Sequence, residues 1–259
     1  MPRNTHWTES ETLAAFWLYS VTPRHRWNEQ TPDIRVLAEH LDRTPAAVLM
    51  KLHNLASRDP ARLAIGRKGL GHASELDAKI WKRLEQDHPN TVLSAERAWL
   101  ELTGQTPTES EHTTEPRSLA AVASDSTLNT FFRRAVLACY EERCILTGLA
   151  IPELLVATHI ITPASDPQRV GDPQNGLCLN PLHHQAFAKG FLALDANWTI
   201  LVTPALSLDG VGGGLANQLG GLAGRKAEMP ERFEPDREAL RWHREHVFRA
   251  KAAKSECPD

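Results

Sequence analysis

Two histidines and an asparagine hold most of the reactive chemistry in this sequence: His159, Asn175 and His183, with His184 beside the last. A histidine with an unperturbed pKa of about 6.5 is largely neutral at cellular pH and can take a proton from water. A second histidine can hold a divalent cation, and a buried asparagine can bridge backbone groups and keep a loop in shape. Metal-assisted hydrolysis of a phosphodiester needs these parts: a base for the water, and a cation to stabilise charge on the phosphate and the departing oxygen. Each residue also has a plain alternative. A histidine ending an apolar strand is often a satisfied core residue, an asparagine before glycine is often a turn residue, and paired histidines can be a solvated helix start.

The flanking pattern says how these residues are placed. The apolar run Leu154–Ile161 reads as a strand that carries His159 near its end, and a loop rich in Pro, Asp and Gly follows through Gln174. Leu177-Cys178-Leu179 reads as a second short strand. Asn180 and Pro181 then read as N-cap and first residue of a helix running to about Lys189. In its opening turn His183 and His184 are separated by about 100° around the axis. His183 shares a face with Phe187 and is expected to point inward as the ligand, and His184 shares its face with Ala188. Residues 191–203 read as a hairpin turning at Asp195-Ala196-Asn197. Leu128–Tyr140 reads as an amphipathic helix with Arg133 and Arg134 on its polar side. Gly210–Gly224 reads as an irregular loop, and Asp236–Phe248 as a closing helix.

The N-terminal half is helical in pattern. Thr8 and Glu11 form a capping-box signature before Leu13, Phe16, Trp17 and Val21. Thr31-Pro32 opens a second helix with Ile34, Leu37 and Leu41, and Thr44 caps a third with Val48, Leu52 and Leu55 inward. This order fits a helix-turn-helix, whose outward side would offer Arg43, Lys51, Asn54 and Arg58 to DNA, with Arg67 and Lys68 in a basic loop. A small helical bundle with a solvated polar face fits the same residues. Arg241 and Arg244 in the closing helix could likewise lie along phosphates or simply face water. The polar segment after Thr103 divides the chain into a helical DNA-binding domain at 1–103, a linker at 104–118 and a second domain at 119–259.

Composition adds limits. With 259 residues, 41% hydrophobic and 24% charged, the chain can bury a core. Its net charge of -3 means that nucleic-acid contact has to come from local basic surfaces. No apolar run approaches the length of a membrane span, and the opening Met1–Trp7 lacks a signal-like stretch, so a cytoplasmic protein is expected. The four cysteines, Cys139, Cys144, Cys178 and Cys257, form no CxxC pair and read as reduced thiols.

Ala157-Thr158-His159-Ile160, then Asn175-Gly176-Leu177-Cys178-Leu179-Asn180-Pro181-Leu182-His183, then Phe187 resembles the signature of HNH endonucleases with the ββα-metal fold. The resemblance is clearest from about Arg143 to Val202. It extends more loosely to Phe233–Asp236 and Trp242–Phe248, and to the helix-turn-helix region, which are similar to parts of restriction-type bacterial members. It implies an α+β architecture in which a helical domain precedes a ββα-metal nuclease domain. It also implies His159 as general base, Asn175 as the middle asparagine, and His183, with His184 beside it, on the metal. Mg2+ or Mn2+ is the expected cofactor, and double-stranded DNA the expected partner with no membrane association. Pairing of two copies is one route to a double-strand break, and restriction or defence is the expected setting. Three departures stand out. Many members carry aspartate where this chain has Thr158, and many carry aspartate where it has Ala188. Of the two CxxC pairs that bind zinc in many HNH proteins, Cys144-Ile145-Leu146-Thr147 keeps one cysteine and Leu179–Leu182 keeps none, so no structural zinc is expected. A DNA-binding regulator with an inactive HNH fold and an RNA-directed nuclease are the rival readings.

Overall fold

The computed structural model describes residues 6–64, 74–105, 125–204 and 218–248. The basic loop residues Arg67 and Lys68, most of the expected linker and part of the glycine-rich stretch lie outside the described residues. Helix α1 (Glu9–Val21) begins at a complete capping box: the Glu11 amide donates to the Thr8 hydroxyl and the Thr8 amide donates to the Glu11 carboxylate. The sequence pattern suggests one buried face, yet every residue from Thr12 to Val21 is buried. A helix that is apolar on all sides belongs inside a core. Helix α1 packs there against α2 (Pro32–His40) and α3 (Pro45–Ala56) and, after the short α4 (Pro60–Ala64), against α5 (Glu75–Gln86) and α6 (His88–Thr103).

Helix α7 (Ser126–Cys139), capped by Asp125, meets α1 and α6 and also both strands of the first hairpin. Those strands, β1 (Val156–His159) and β2 (Gly176–Leu179), are antiparallel, with Thr158 opposite Leu177 and His159 opposite Gly176. Helix α8 (Pro181–Ala188) follows. A second antiparallel pair, β3 (Leu192–Leu194) and β4 (Ile200–Val202), turns where the Asp195 carboxylate accepts from the Asn197 and Thr199 amides. Helix α9 (Arg237–His243) continues into a π-helical turn, Arg244–Phe248, which rests on β3. This mixed helix and small-sheet content is α+β. No described helix is long and apolar enough to cross a membrane.

The segment before α9 returns to the helical half. Arg232 is buried, and its guanidinium donates to the carbonyl oxygens of Tyr19, Thr22 and Ala138, so α1 and α7 are joined through one side chain. Phe233 packs beside it against the rings of Tyr19 and Trp81. Early and late parts of the chain share one buried cluster.

Candidate active site

The site is built at the end of the β1–β2 hairpin, where the first turn of α8 meets β1. Thr158 Oγ1 lies 2.9 Å from His184 Nδ1, joining strand to helix. His184 is half-buried, and burial holds its pKa below the ordinary value, so the ring is neutral and can offer a lone pair. No group of three or more His, Cys, Asp or Glu side chains gathers around a metal-sized space among the described residues.

His159, the next residue of β1, lies flat against Phe132 of α7, with ring centroids 3.8 Å apart and planes 6° apart. Its Nε2 is buried and has no hydrogen-bond partner among the described residues. Burial pushes the His159 pKa down to about 4. The backbone then turns away from the strand, and Asn175 holds the turn. The Asn175 Oδ1 accepts from the Ile161 amide at 2.9 Å, and its Nδ2 donates to the Ile161 carbonyl at 2.8 Å. The Ile160 amide donates in turn to the Asn175 carbonyl at 2.9 Å. Asn175 is 1% exposed, so this bridge closes the 160–175 loop from inside.

His183 is placed differently from the sequence expectation. It shares the buried face of α8 with Phe187, as the helical spacing requires, but that face points into the core. Its side chain is 0% exposed. Nε2 lies 3.0 Å from the Gln218 carbonyl, which can only accept, so this nitrogen carries the proton. Nδ1 lies 3.8 Å from Cys144 Sγ. With Nε2 protonated, Nδ1 holds the bare lone pair, and the Cys144 thiol can only donate toward it. His183 therefore plugs the turn at Cys144, while His184, on the side shared with exposed Ala188, faces Thr158.

The residues expected to touch DNA are dispersed. Lys51 is buried and paired with Asp77 at 2.5 Å, so it cannot reach a phosphate; the expected outward face of α3 is closed there by α5. Arg43 lies over the Trp7 ring and bonds Glu11 and the His6 carbonyl. Asn54 is half-buried with its Oδ1 inside. Arg244 donates to the Leu194 carbonyl at 2.7 Å, fastening the last helical turn to β3. Arg58 and Arg241 are exposed, the latter paired with Glu238.

Phe132 and Gly176 escaped the sequence reading, although both shape the site. A Cβ on Gly176 would sit 2.4 Å from Val136 Cγ2 and 3.1 Å from the Phe132 ring, so only glycine lets α7 approach the strand opposite His159. The doublet Phe131-Phe132 on an amphipathic helix was the available signal, but helical periodicity gives burial and not the identity of the neighbour.

Residues 144–195 match the model of the HNH_2 family, described as HNH endonuclease. The matched segment spans the Cys144 turn, β1, the loop, β2, α8 and β3, and so contains Thr158, His159, Asn175, His183 and His184. No curated protein matches the chain.

Proposed function

We propose that the protein is a metal-dependent endonuclease that hydrolyses DNA phosphodiester bonds at the β1–α8 junction, in a restriction or defence setting. The observation that carries this reading is the contact of Thr158, the residue before His159 in β1, with His184 of α8, inside the segment that matches the HNH endonuclease family. His159 is the general base. Its depressed pKa leaves the ring unprotonated at neutral pH but makes it a weak base, so the attacking water would have to be acidified by a bound cation. Asn175 keeps the turn after His159 from unfolding away from the strand.

The donors suit a divalent cation whose coordination is completed by substrate. One neutral imidazole, that of His184, is too little to hold an ion alone, and the buried Thr158 hydroxyl serves to orient that ring through Nδ1. Phosphate oxygens and water can fill the remaining positions, as is common for magnesium-type sites. Such a cation, Mg2+ or Mn2+, supplies charge stabilisation at the phosphate and the leaving oxygen. Mn2+ is softer than Mg2+ and accepts a nitrogen ligand more readily, so Mn2+ should support the higher activity of the two. The metal ligand is thus assigned to His184, and His183 to the core.

Thr158 in place of aspartate and exposed Ala188 favour one alternative, a DNA-binding regulator with an inactive HNH fold. Incubation of supercoiled plasmid with the purified chain in Mn2+, and separately in chelator, separates the two. Nicking in Mn2+ alone supports the nuclease; binding with no nicking under either condition supports the regulator. Duplex RNA as competitor tests the substrate, since a DNA enzyme keeps its nicking rate in equal RNA.

A further inference from the structure

We infer that Phe132 is the positioning residue that sets the plane of the His159 imidazole, an inference that rests on His159 being the base proposed above. The second side-chain torsion of histidine is broad, so the ring plane needs an external constraint before one nitrogen can point reliably at a water. In many sites a hydrogen bond to the other ring nitrogen supplies it. Here Nε2 is buried and reaches no partner among the described residues, while the whole ring face lies on Phe132 at 3.8 Å and 6°. Contact over the full face resists tilting and leaves the ring free to slide only in its own plane.

Phe132 is itself held. It is 2% exposed, and it shares with Val136 and Tyr140 a stripe of residues four apart that runs along α7 and onto its C-terminal cap. All three grip the last strand pair of the hairpin. Phe132 meets His159, Val136 fills the space that the missing Gly176 Cβ leaves, and the Tyr140 hydroxyl donates to the Gly176 carbonyl at 3.1 Å. The helix is therefore docked on the His159–Gly176 pair at three successive turns. An aromatic stack backed by a helix takes the place of the missing hydrogen bond. Misplacing a reacting group by about 1 Å costs on the order of a hundred-fold in rate, which sets the scale of the effect.

The full chain carrying Phe132→Leu or Phe132→Tyr tests this. Circular dichroism checks that each variant is folded. Plasmid nicking gives kcat and KM, calorimetric titration with Mn2+ gives metal affinity, and NMR follows the His159 ring protons, assigned by their loss in His159→Ala. A stacked ring shifts those protons upfield. Phe132→Leu is expected to lower kcat roughly ten- to a hundred-fold, to leave KM and Mn2+ affinity within about twofold, and to move the ring protons downfield. Phe132→Tyr, which keeps the ring, is expected to restore both the rate and the shift. Wild-type kcat in Phe132→Leu, a rate loss that Phe132→Tyr does not restore, or unchanged ring-proton shifts would each overturn the proposal. Absence of metal-dependent nicking in the wild-type chain would overturn the nuclease reading itself, a failure distinct from an unchanged ring shift.

Discussion

At the scale of single residues, two adjacent histidines have opposite surroundings. His183 is sealed between Cys144 and the Gln218 carbonyl, and His184 stands at a half-open edge against Thr158. The two alanine variants should fail in different ways. His184→Ala should lose Mn2+ binding and nicking with little change in thermal midpoint. His183→Ala should lower the midpoint, because it opens a cavity in the core at a cost of about 2–4 kcal/mol, yet keep Mn2+ binding in the folded fraction. Calorimetry and thermal melts on the pair check this, and lost metal affinity in a well-folded His183→Ala would contradict the assignment. With His159 as the proposed base, the pH profile should follow its titration. Below its pKa the ring already holds the proton it must accept, so depression to about 4 moves the acid limb of kcat/KM downward, away from the ordinary imidazole range. Half-loss of kcat/KM at about pH 6.5, the range of an unperturbed imidazole, would show that burial does not depress the His159 pKa in the working enzyme. Periodicity had already put His183 on the face of Phe187, and that rotation agrees with the structure. What periodicity does not contain is the destination of the face: the most inward position on a helix leads to the core, and a ligand must remain within reach of solvent and substrate.

At the scale of elements, the strand–loop–strand–helix order was legible because each piece has a local cause: the apolar run before His159, the prolines of the loop, and Asn180 capping α8 through its bond from the His183 amide. The role of α7 was not legible, since it depends on contact between residues 44 positions apart, and no local pattern reports that Phe132 meets Gly176. Gly176→Ala probes this docking. The added methyl would overlap Val136 and press on Phe132, so α7 and the hairpin must separate. Overpacking of this kind typically costs about 1–3 kcal/mol, and the loss of nicking should exceed the loss of folded protein, because His159 moves with the strand. Thermal melts and nicking on one preparation check this; wild-type behaviour in both would show that the close approach is dispensable.

At the scale of the whole molecule, a polar stretch after Thr103 invites division into two domains, yet buried contacts cross it. Arg232 reaches the Tyr19 and Thr22 carbonyls, and α7 packs against both α1 and the β1–β2 hairpin. A fragment beginning at Arg117 would strand the Arg232 guanidinium and bare the side of α7 that faces α1. It should therefore melt well below the full chain or aggregate, which thermal scans and light scattering would show; a fragment as stable as the full chain would mean that the C-terminal half stands alone. Packing of this kind explains why Lys51 of α3 reads as a surface residue in the sequence. A lysine on a helix reads as surface until a second helix brings an aspartate to it, as α5 brings Asp77 to Lys51. The central claim, hydrolysis with His159 as base, is tested most directly by single-turnover nicking of supercoiled plasmid in saturating Mn2+ by the wild-type chain and by His159→Ala. The account predicts that the variant binds DNA and Mn2+ as the wild type does and cuts on the order of a hundred- to ten-thousand-fold more slowly; equal cutting rates would contradict it.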